Sequence, residues 1–266
     1  MLKKILKRIQ KKMLMPVLER QHKLEMILHD QNKQLIDIIK KLSLADEIIE
    51  LKGARFWVPN APFEFIQNVQ LSEVSFYEQE ILESLDKYLN QESIVIDVGA
   101  NVGNHTVYWG KITNVRKVFS FEPIKATFKI LEKNITINDL TKKVTAYNIG
   151  LGSKTAIGRE ISHNMWNAAV TEIIEDISGD ITIKRLDDIK EIRNEKIDFI
   201  KIDVEGFEKN VLEGAVETIT KNRPIVFIES LPQDNNLDFV KNYFSELGYN
   251  EPIDYQDHNF LFIHKQ

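Results

Sequence analysis

The stretch Ile94–Gly103, IVIDVGANVG, carries the strongest architectural signal in the chain. Its β-branched opening marks a strand buried on both faces, and Asp97, Gly99 and Gly103 then turn the chain into a helix. Gly99 permits a sharp turn and close approach to a ligand, and Gly103 lets the next helix pack close to the strand. Asn101 stands where nucleotide-binding loops often carry another glycine; asparagine is among the few other residues that tolerate positive φ.

The charge in this loop separates two classes of nucleotide. A dinucleotide fingerprint offers the amides of three glycines to a pyrophosphate, whereas only two glycines are present here and a carboxylate precedes the first by two residues. Asp97 would repel phosphate and suits a cationic ligand such as S-adenosylmethionine, which carries a sulfonium and an ammonium and no phosphate. Downstream, Lys117–Phe121 (KVFSF) reads as a second buried strand, and Glu122 follows Gly103 by nineteen residues. That spacing suits a carboxylate accepting from a ribose diol.

Three motifs together, IDVGANVG, FEP at Phe121–Pro123 and IKIDVEGFE at Ile200–Glu208, resemble the FkbM family of S-adenosylmethionine-dependent methyltransferases. Gly214 and Arg223-Pro224 continue the likeness, which covers roughly residues 90–264 and nothing before residue 70. The resemblance implies a class I methyltransferase fold. It also implies acceptors among sugars, sugar nucleotides or secondary metabolites, with capsule or lipopolysaccharide decoration as the leading context.

Composition bounds the remaining possibilities. The chain has 266 residues, 43% of them hydrophobic and 28% charged, and no cysteine. That excludes disulfides and thiolate metal sites and fits a cytoplasmic protein. No apolar run approaches the ~18 residues of a membrane span, and no signal-peptide pattern appears. Six basic and no acidic residues fall within 1–12, so the net charge of −5 leaves an acidic remainder unsuited to a nucleic-acid substrate.

Residues 1–52 read as an N-terminal helical extension. Leu2, Ile5, Leu6, Ile9 and Met13 oppose the six cations, either as a basic amphipathic helix touching an anionic membrane surface or as the solvated start of a coiled coil. Around and beyond Pro16, which permits a fresh helix start, the heptad positions Leu14, Leu28, Leu35, Leu42 and Ile49, with Val17, Leu24, Ile38 and Ala45, predict a coiled coil and hence a homo-oligomer. Gln21 and Gln31 interrupt that seam, and an amphipathic helix folded on its own domain is the competing reading. Gly53 is expected to stop the helix.

Residues 53–92 read as a cap before the main domain. Ala54–Gln70 is aromatic and interrupted by prolines, which predicts short strands or loop; Phe56, Trp57 and Phe63 would form core or one wall of a substrate pocket. Ser75 and Glu78 form a capping-box pattern for a helix running to about Leu89.

Residues 93–266 read as a Rossmann-like α/β domain: parallel strands, crossover helices and a final antiparallel hairpin strand. Strands are predicted at 94–98, 117–121, 144–149, 197–204 and 224–228, with helices at 103–112, 127–137, 207–220 and 237–247. The loop Gly150–Ser153 lies where an adenine would rest. An insertion over 154–184 replaces a crossover helix and carries His163, Asn164, Trp166 and Asn167 at its tip, as substrate recognition or as exposed decoration.

The carboxyl ends of parallel strands bring Asp97, Glu122, Asp203, Glu205 and Glu229 to one rim. Cofactor contacts are expected from Asp97, Gly99, Ala100, Asn101, Gly103, Asn104, Glu122, Pro123, Gly150 and Asp203. Acceptor contacts are expected from Trp166, Asn167, Glu205, Glu229 and Asp257. An alcohol acceptor must shed a proton, and His258 on the final turn is the first choice of base, with Asp203 and Glu205 next. His105 reads as packing near the cofactor. Asp203, Glu205, Glu229 and Asp257 also suit magnesium, although hydrogen bonding explains them equally. Competing functions are methylation of nitrogen or a phospho-compound, and a non-catalytic scaffold in a surface-glycan complex. An NAD-dependent oxidoreductase fails on the missing glycine.

Overall fold

The computed structural model describes Arg20, Lys23 and Gln31, then residues 48–61, 64–162, 171–230, 236–255 and 258–265. The chain divides into Met1–Asp46 and Glu47–Gln266. In the first unit Arg20, Lys23 and Gln31 are helical and exposed; the heptad seam and the basic segment otherwise lie outside the described residues.

The helix expected to reach Gly53 has already given way to a hairpin at its end. Strands β1 (Ile48–Leu51) and β2 (Ala54–Trp57) pair antiparallel across Lys52-Gly53, both of which have positive φ. That two-residue geometry matches the right-handed twist of the flanking strands, so Ile49 belongs to a strand and not to a helical seam. The cap differs from expectation twice more. Helix Phe65–Glu73 occupies what read as loop, with the Glu64 carboxylate accepting from the amides of Ile66 and Gln67. The helix beyond it runs from Gln79 to Leu85, after a Glu78 of left-handed φ that makes no side-chain cap, so the Ser75–Glu78 capping box does not form.

In the main domain the strands are β3 (Ile94–Val98), β4 (Lys117–Phe121), β5 (Val144–Tyr147), β6 (Gly150–Leu151), β7 (Ala156–Ser162), β8 (Thr171–Glu175), β9 (Ile181–Lys184), β10 (Phe199–Ile202), β11 (Ile225–Glu229), β12 (Ile253–Asp254) and β13 (Asn259–Phe262). A seven-stranded sheet has the order β12-β13-β11-β10-β3-β4-β5, and β13 runs antiparallel to β11 and β12 beside a five-stranded parallel core. The chain moves outward through β3, β4 and β5, then returns to lay β10 on the other side of β3. The β3/β10 boundary is therefore the topological switch point, where open α/β sheets bind ligands.

Alternation along the strands builds a core on each face. Val95, Val118, Phe199, Phe227 and Leu261 join the cluster containing Phe56, Phe76, Leu82 and Tyr108. Ile94, Ile96, Ile200, Ile202, Val226 and Ile228 join Val211, Leu212, Ile219, Val240 and Phe244 on the opposite face. Phe56, fully buried, meets Phe76 edge to face at 5.4 Å, and Phe76 meets Tyr108 at 5.1 Å, which assigns Phe56 to the core.

The crossovers show smaller departures. The helix after β3 is α-helical only at Asn104–Val107 and continues as a π-helix over Tyr108–Thr113. The segment expected as one helix at 207–220 is two, Glu208–Glu213 and Val216–Asn222. Gly214 marks the break: a Cβ there would lie 2.0 Å from the carbonyl oxygen of Gly152. Gly150 and Leu151 form a strand and not a loop, pairing parallel with β9 in a four-stranded sheet of order β6-β9-β7-β8 that accounts for the insertion. Among the described residues no helix is long and apolar enough to cross a membrane.

Candidate active site

Asp97 lies one residue before the end of β3 at the switch point and is completely buried. Its Oδ2 accepts from the Thr106 hydroxyl at 2.6 Å, and that hydroxyl lies 2.7 Å from Ser120 Oγ on β4. Oδ1 has no hydrogen-bond partner and sits 3.7 Å from the Lys201 ammonium. Burial raises the carboxyl pKa, and Lys201 opposes the rise.

Beyond Asp97 the loop turns through Gly99 (φ 76°), Asn101 (φ 49°) and Gly103 (φ 92°), as the glycines and asparagine allow. Gly99 has a further reason: a Cβ there would lie 1.8 Å from the Asp203 carbonyl oxygen, so this glycine also makes room for the chain after β10. A Cβ on Gly103 would strike Leu131 at 2.8 Å, so this glycine admits the helix Lys125–Ile137.

Glu122 closes the loop from the neighbouring strand. Its Oε2 accepts from the Asn101 amide at 3.0 Å and its Oε1 from the Ile124 amide at 2.7 Å. Burial pushes its pKa up to about 7 against the pull of those two amides. Each carboxylate oxygen keeps a second lone pair for a ligand. The Asn148 side chain donates to the carbonyls of Glu122 and Pro123, fixing the turn that follows.

The third wall follows β10. Asp203, Glu205 and Glu229 bring carboxylate oxygens within 4.8 Å of one another. Glu205 (φ 48°) and Gly206 (φ 92°) turn the loop, and buried Glu208 braces it by accepting from the Gly206 amide at 2.8 Å. The Asn236 side chain donates to Glu208 and to the Gly206 carbonyl. Burial, then Asp203 and Glu205, raise the Glu229 pKa. Burial would raise Asp203 too, but the Lys201 ammonium at 3.0 Å and the hydrogen bond with Glu229 lower it.

Several expected contacts are placed differently. Asn104 is buried, and its side chain is spent on the cap: it accepts from the Tyr77 amide and the Gln70 side chain, each at 3.0 Å, and donates to the Tyr77 carbonyl at 2.9 Å. Gly150 packs beside Pro123, Ile181 and Ile183 within the second sheet. Ala100 is buried, its amide bonded to the Phe121 carbonyl. His258 is exposed, and its carbonyl accepts from the Ser230 amide, which fixes the final turn beside Glu229. Phe63, His163, Asn164, Trp166, Asn167 and Asp257 lie outside the described residues.

Sequence reasoning overlooked Lys201 and Glu78. Lys201 is a cation inside an otherwise apolar strand, a pattern visible in FIKI; Glu78 read as a helix cap. In the structure Glu78 Oε2 lies 3.5 Å from Nε2 of buried His105. Burial, then repulsion from Lys201, depresses the His105 pKa to about 3, so the imidazole is neutral.

Known proteins resemble this chain over the same region. The model of the methyltransferase FkbM domain matches residues 97–251. Methyltransferase sdnD of Sordaria araneosa is 27% identical over 48% of this chain and 62% of its own length. The hexuronic acid methyltransferase AglP of Haloferax volcanii is 29% identical over 53% of this chain and 58% of its own length. The chain thus spans about three fifths of each of these curated relatives. The crystal structure of methyltransferase FkbM from Methylobacillus flagellatus KT superimposes with a TM-score of 0.51 at 19% identity, covering 66% of this chain and 44% of that one. That likeness is one of fold: the α/β sheet built around β3. The glycine loop, the Glu122 turn and the DVEGFE segment all fall within the matched span, and the chain belongs to the methyltransferase FkbM domain family.

Proposed function

We propose that this protein is an S-adenosylmethionine-dependent O-methyltransferase that acts on a hydroxyl of a sugar or nucleotide sugar, in the cytoplasmic assembly of a bacterial capsule or lipopolysaccharide. The observation that carries the reading is Glu122. Its buried carboxylate is oriented by the Asn101 and Ile124 amides at the end of the strand next to Asp97. The donor set fits a cationic nucleoside. Carboxylates line the switch point, Glu122 can accept from a diol, and Asp97 Oδ1 is buried without a hydrogen-bond partner. When bound, S-adenosylmethionine supplies a methyl group whose S–C bond breaks with the electron pair remaining on sulfur.

The chain's own groups do the rest. Glu122 would hold the ribose hydroxyls, Asp203 would accept from the ammonium group, and the loop after β10 would align the acceptor. Alignment alone contributes about 7 to 11 kcal/mol to such a displacement. His258, on the turn fixed beside Glu229, takes the acceptor proton. Asp203 is a weaker base because Lys201 lowers its pKa. A sugar acceptor is supported by the relative named as a hexuronic acid methyltransferase. Self-association is proposed to reside in residues 1–46.

The test is calorimetric titration with S-adenosylhomocysteine, then turnover on a panel of nucleotide sugars with and without EDTA. Binding with turnover on a sugar is the expected result. Loss of turnover in EDTA would assign the Asp203, Glu205 and Glu229 spacing to magnesium. Binding without turnover moves the acceptor to nitrogen or a phospho-compound, and no binding favours the scaffold.

A further inference from the structure

Lys201 lies in the middle of β10, in register with Asp97 on β3, and is 4% exposed. Its ammonium is 3.0 Å from Asp203 Oδ2 and 3.1 Å from the Gly99 carbonyl oxygen. Burial by itself lowers the pKa of a lysine, but Asp203 and Asp97, with Glu78 farther off, more than offset it and keep the group charged. The two loops joined through this ammonium also touch along their backbones. The Asp203 amide donates to the Val98 carbonyl at 3.1 Å, and the Asp203 carbonyl fills the space a Gly99 side chain would need.

A buried cation is an unexpected neighbour for a cationic ligand, and hydrophobic packing would stabilise a sheet at least as well. Its position explains its presence. The ammonium pairs with Asp203 at 3.0 Å and with Asp97 at 3.7 Å, and it bonds one group from each of the two loops that flank the crevice. We propose that Lys201 is a positioning residue, whose ammonium ties Asp203 to the Gly99 carbonyl and holds the loops after β3 and β10 in one fixed arrangement. Its effect on the cofactor rests on the methyltransferase reading above; the tie itself does not.

The test is a cycle of Lys201→Met, Asp203→Asn and the double variant, titrated with S-adenosylhomocysteine. Each single variant should lose about tenfold or more in affinity, as expected for a charged hydrogen bond. The double variant should lose no more than the worse single one, because both changes remove the same tie. Losses that multiply in the double variant would give Lys201 a separate, purely structural role and overturn the proposal, as would full affinity in Lys201→Met. Amide hydrogen exchange of the ligand-free protein reads the tie without the cofactor. Asp203→Asn, which leaves the ammonium beside Asp97, should speed exchange across residues 99–103. Unchanged protection there overturns the proposal even where Lys201→Met fails to fold. Faster exchange in a protein that does not bind S-adenosylhomocysteine would support the tie and sink the cofactor reading.

Discussion

The Glu122 carboxylate accepts the Asn101 amide at 3.0 Å, so the acid at the end of β4 holds the glycine loop that follows β3. On the proposed reading, loop folding and ligand binding therefore meet in one side chain. A ligand that draws on Glu122 finds it already oriented, and a change at Glu122 alters the loop together with the ligand contact.

Glu122 makes stability depend on pH in a defined direction. Its folded pKa of about 7 lies above the ordinary 4.5, so the stability it contributes is present below about pH 4.5 and is lost as pH rises through 7. A shift of that size corresponds to roughly 3 kcal/mol. Urea unfolding at pH 5 and pH 8 should show wild-type protein losing stability relative to Glu122→Gln across this window. A constant difference between the two proteins would show that Glu122 does not titrate there.

Two glycines of similar φ should respond differently to alanine. Gly53 (φ 84°) has nothing within 4 Å of the place a methyl group would take, so Gly53→Ala should cost about 1 to 2 kcal/mol for the left-handed backbone alone. Gly99→Ala drives a methyl into the Asp203 carbonyl and should cost on the order of 4 kcal/mol or prevent folding. Thermal unfolding of the pair decides, and equal losses would mean that the β3 and β10 loops are not in contact.

Asn104 is predicted to hold the cap. Asn104→Leu removes the bonds to Tyr77 and Gln70 and leaves the Tyr77 amide without its acceptor. The expected loss is about 2 to 4 kcal/mol. Chymotrypsin should then cut within residues 71–77 before the main domain unfolds; cleavage unchanged from wild type would assign the cap's attachment to its apolar contacts.

His258 is exposed and takes no part in the Glu122 turn, so His258→Ala should leave S-adenosylhomocysteine affinity unchanged. Turnover on an accepted sugar should fall by ~10² to 10⁴. Turnover at the wild-type rate would transfer the proton-accepting role to Glu205.

Much of the main domain is legible in the sequence because its signals are local. Apolar runs at β3, β4, β10 and β11 are buried on both faces, and glycines follow β3 and β10. What fails depends on distance in the fold. Ile48, Ile49 and Leu51 keep a helical period, and only the Lys52-Gly53 turn betrays the hairpin. Gly99 stands out in the sequence, but its reason, the carbonyl of Asp203, is more than a hundred residues away in the chain. Asn104 sits beside the glycine loop in sequence, yet its side chain serves Tyr77. Lys201 carries a local signal, a charge inside FIKI, whose meaning emerges only when β3 and β10 lie side by side.

The second sheet is separate: β6 pairs with β9, β9 with β7 and β7 with β8, and among the described residues none of these strands pairs with the seven-stranded sheet. The hairpin of β7 and β8 is therefore an exchangeable cartridge. Lengthening, shortening or swapping it leaves the register of β3, β4 and β10 untouched, so descendants of this sequence can diversify there while the loops around Asp97 and Asp203 stay as they are.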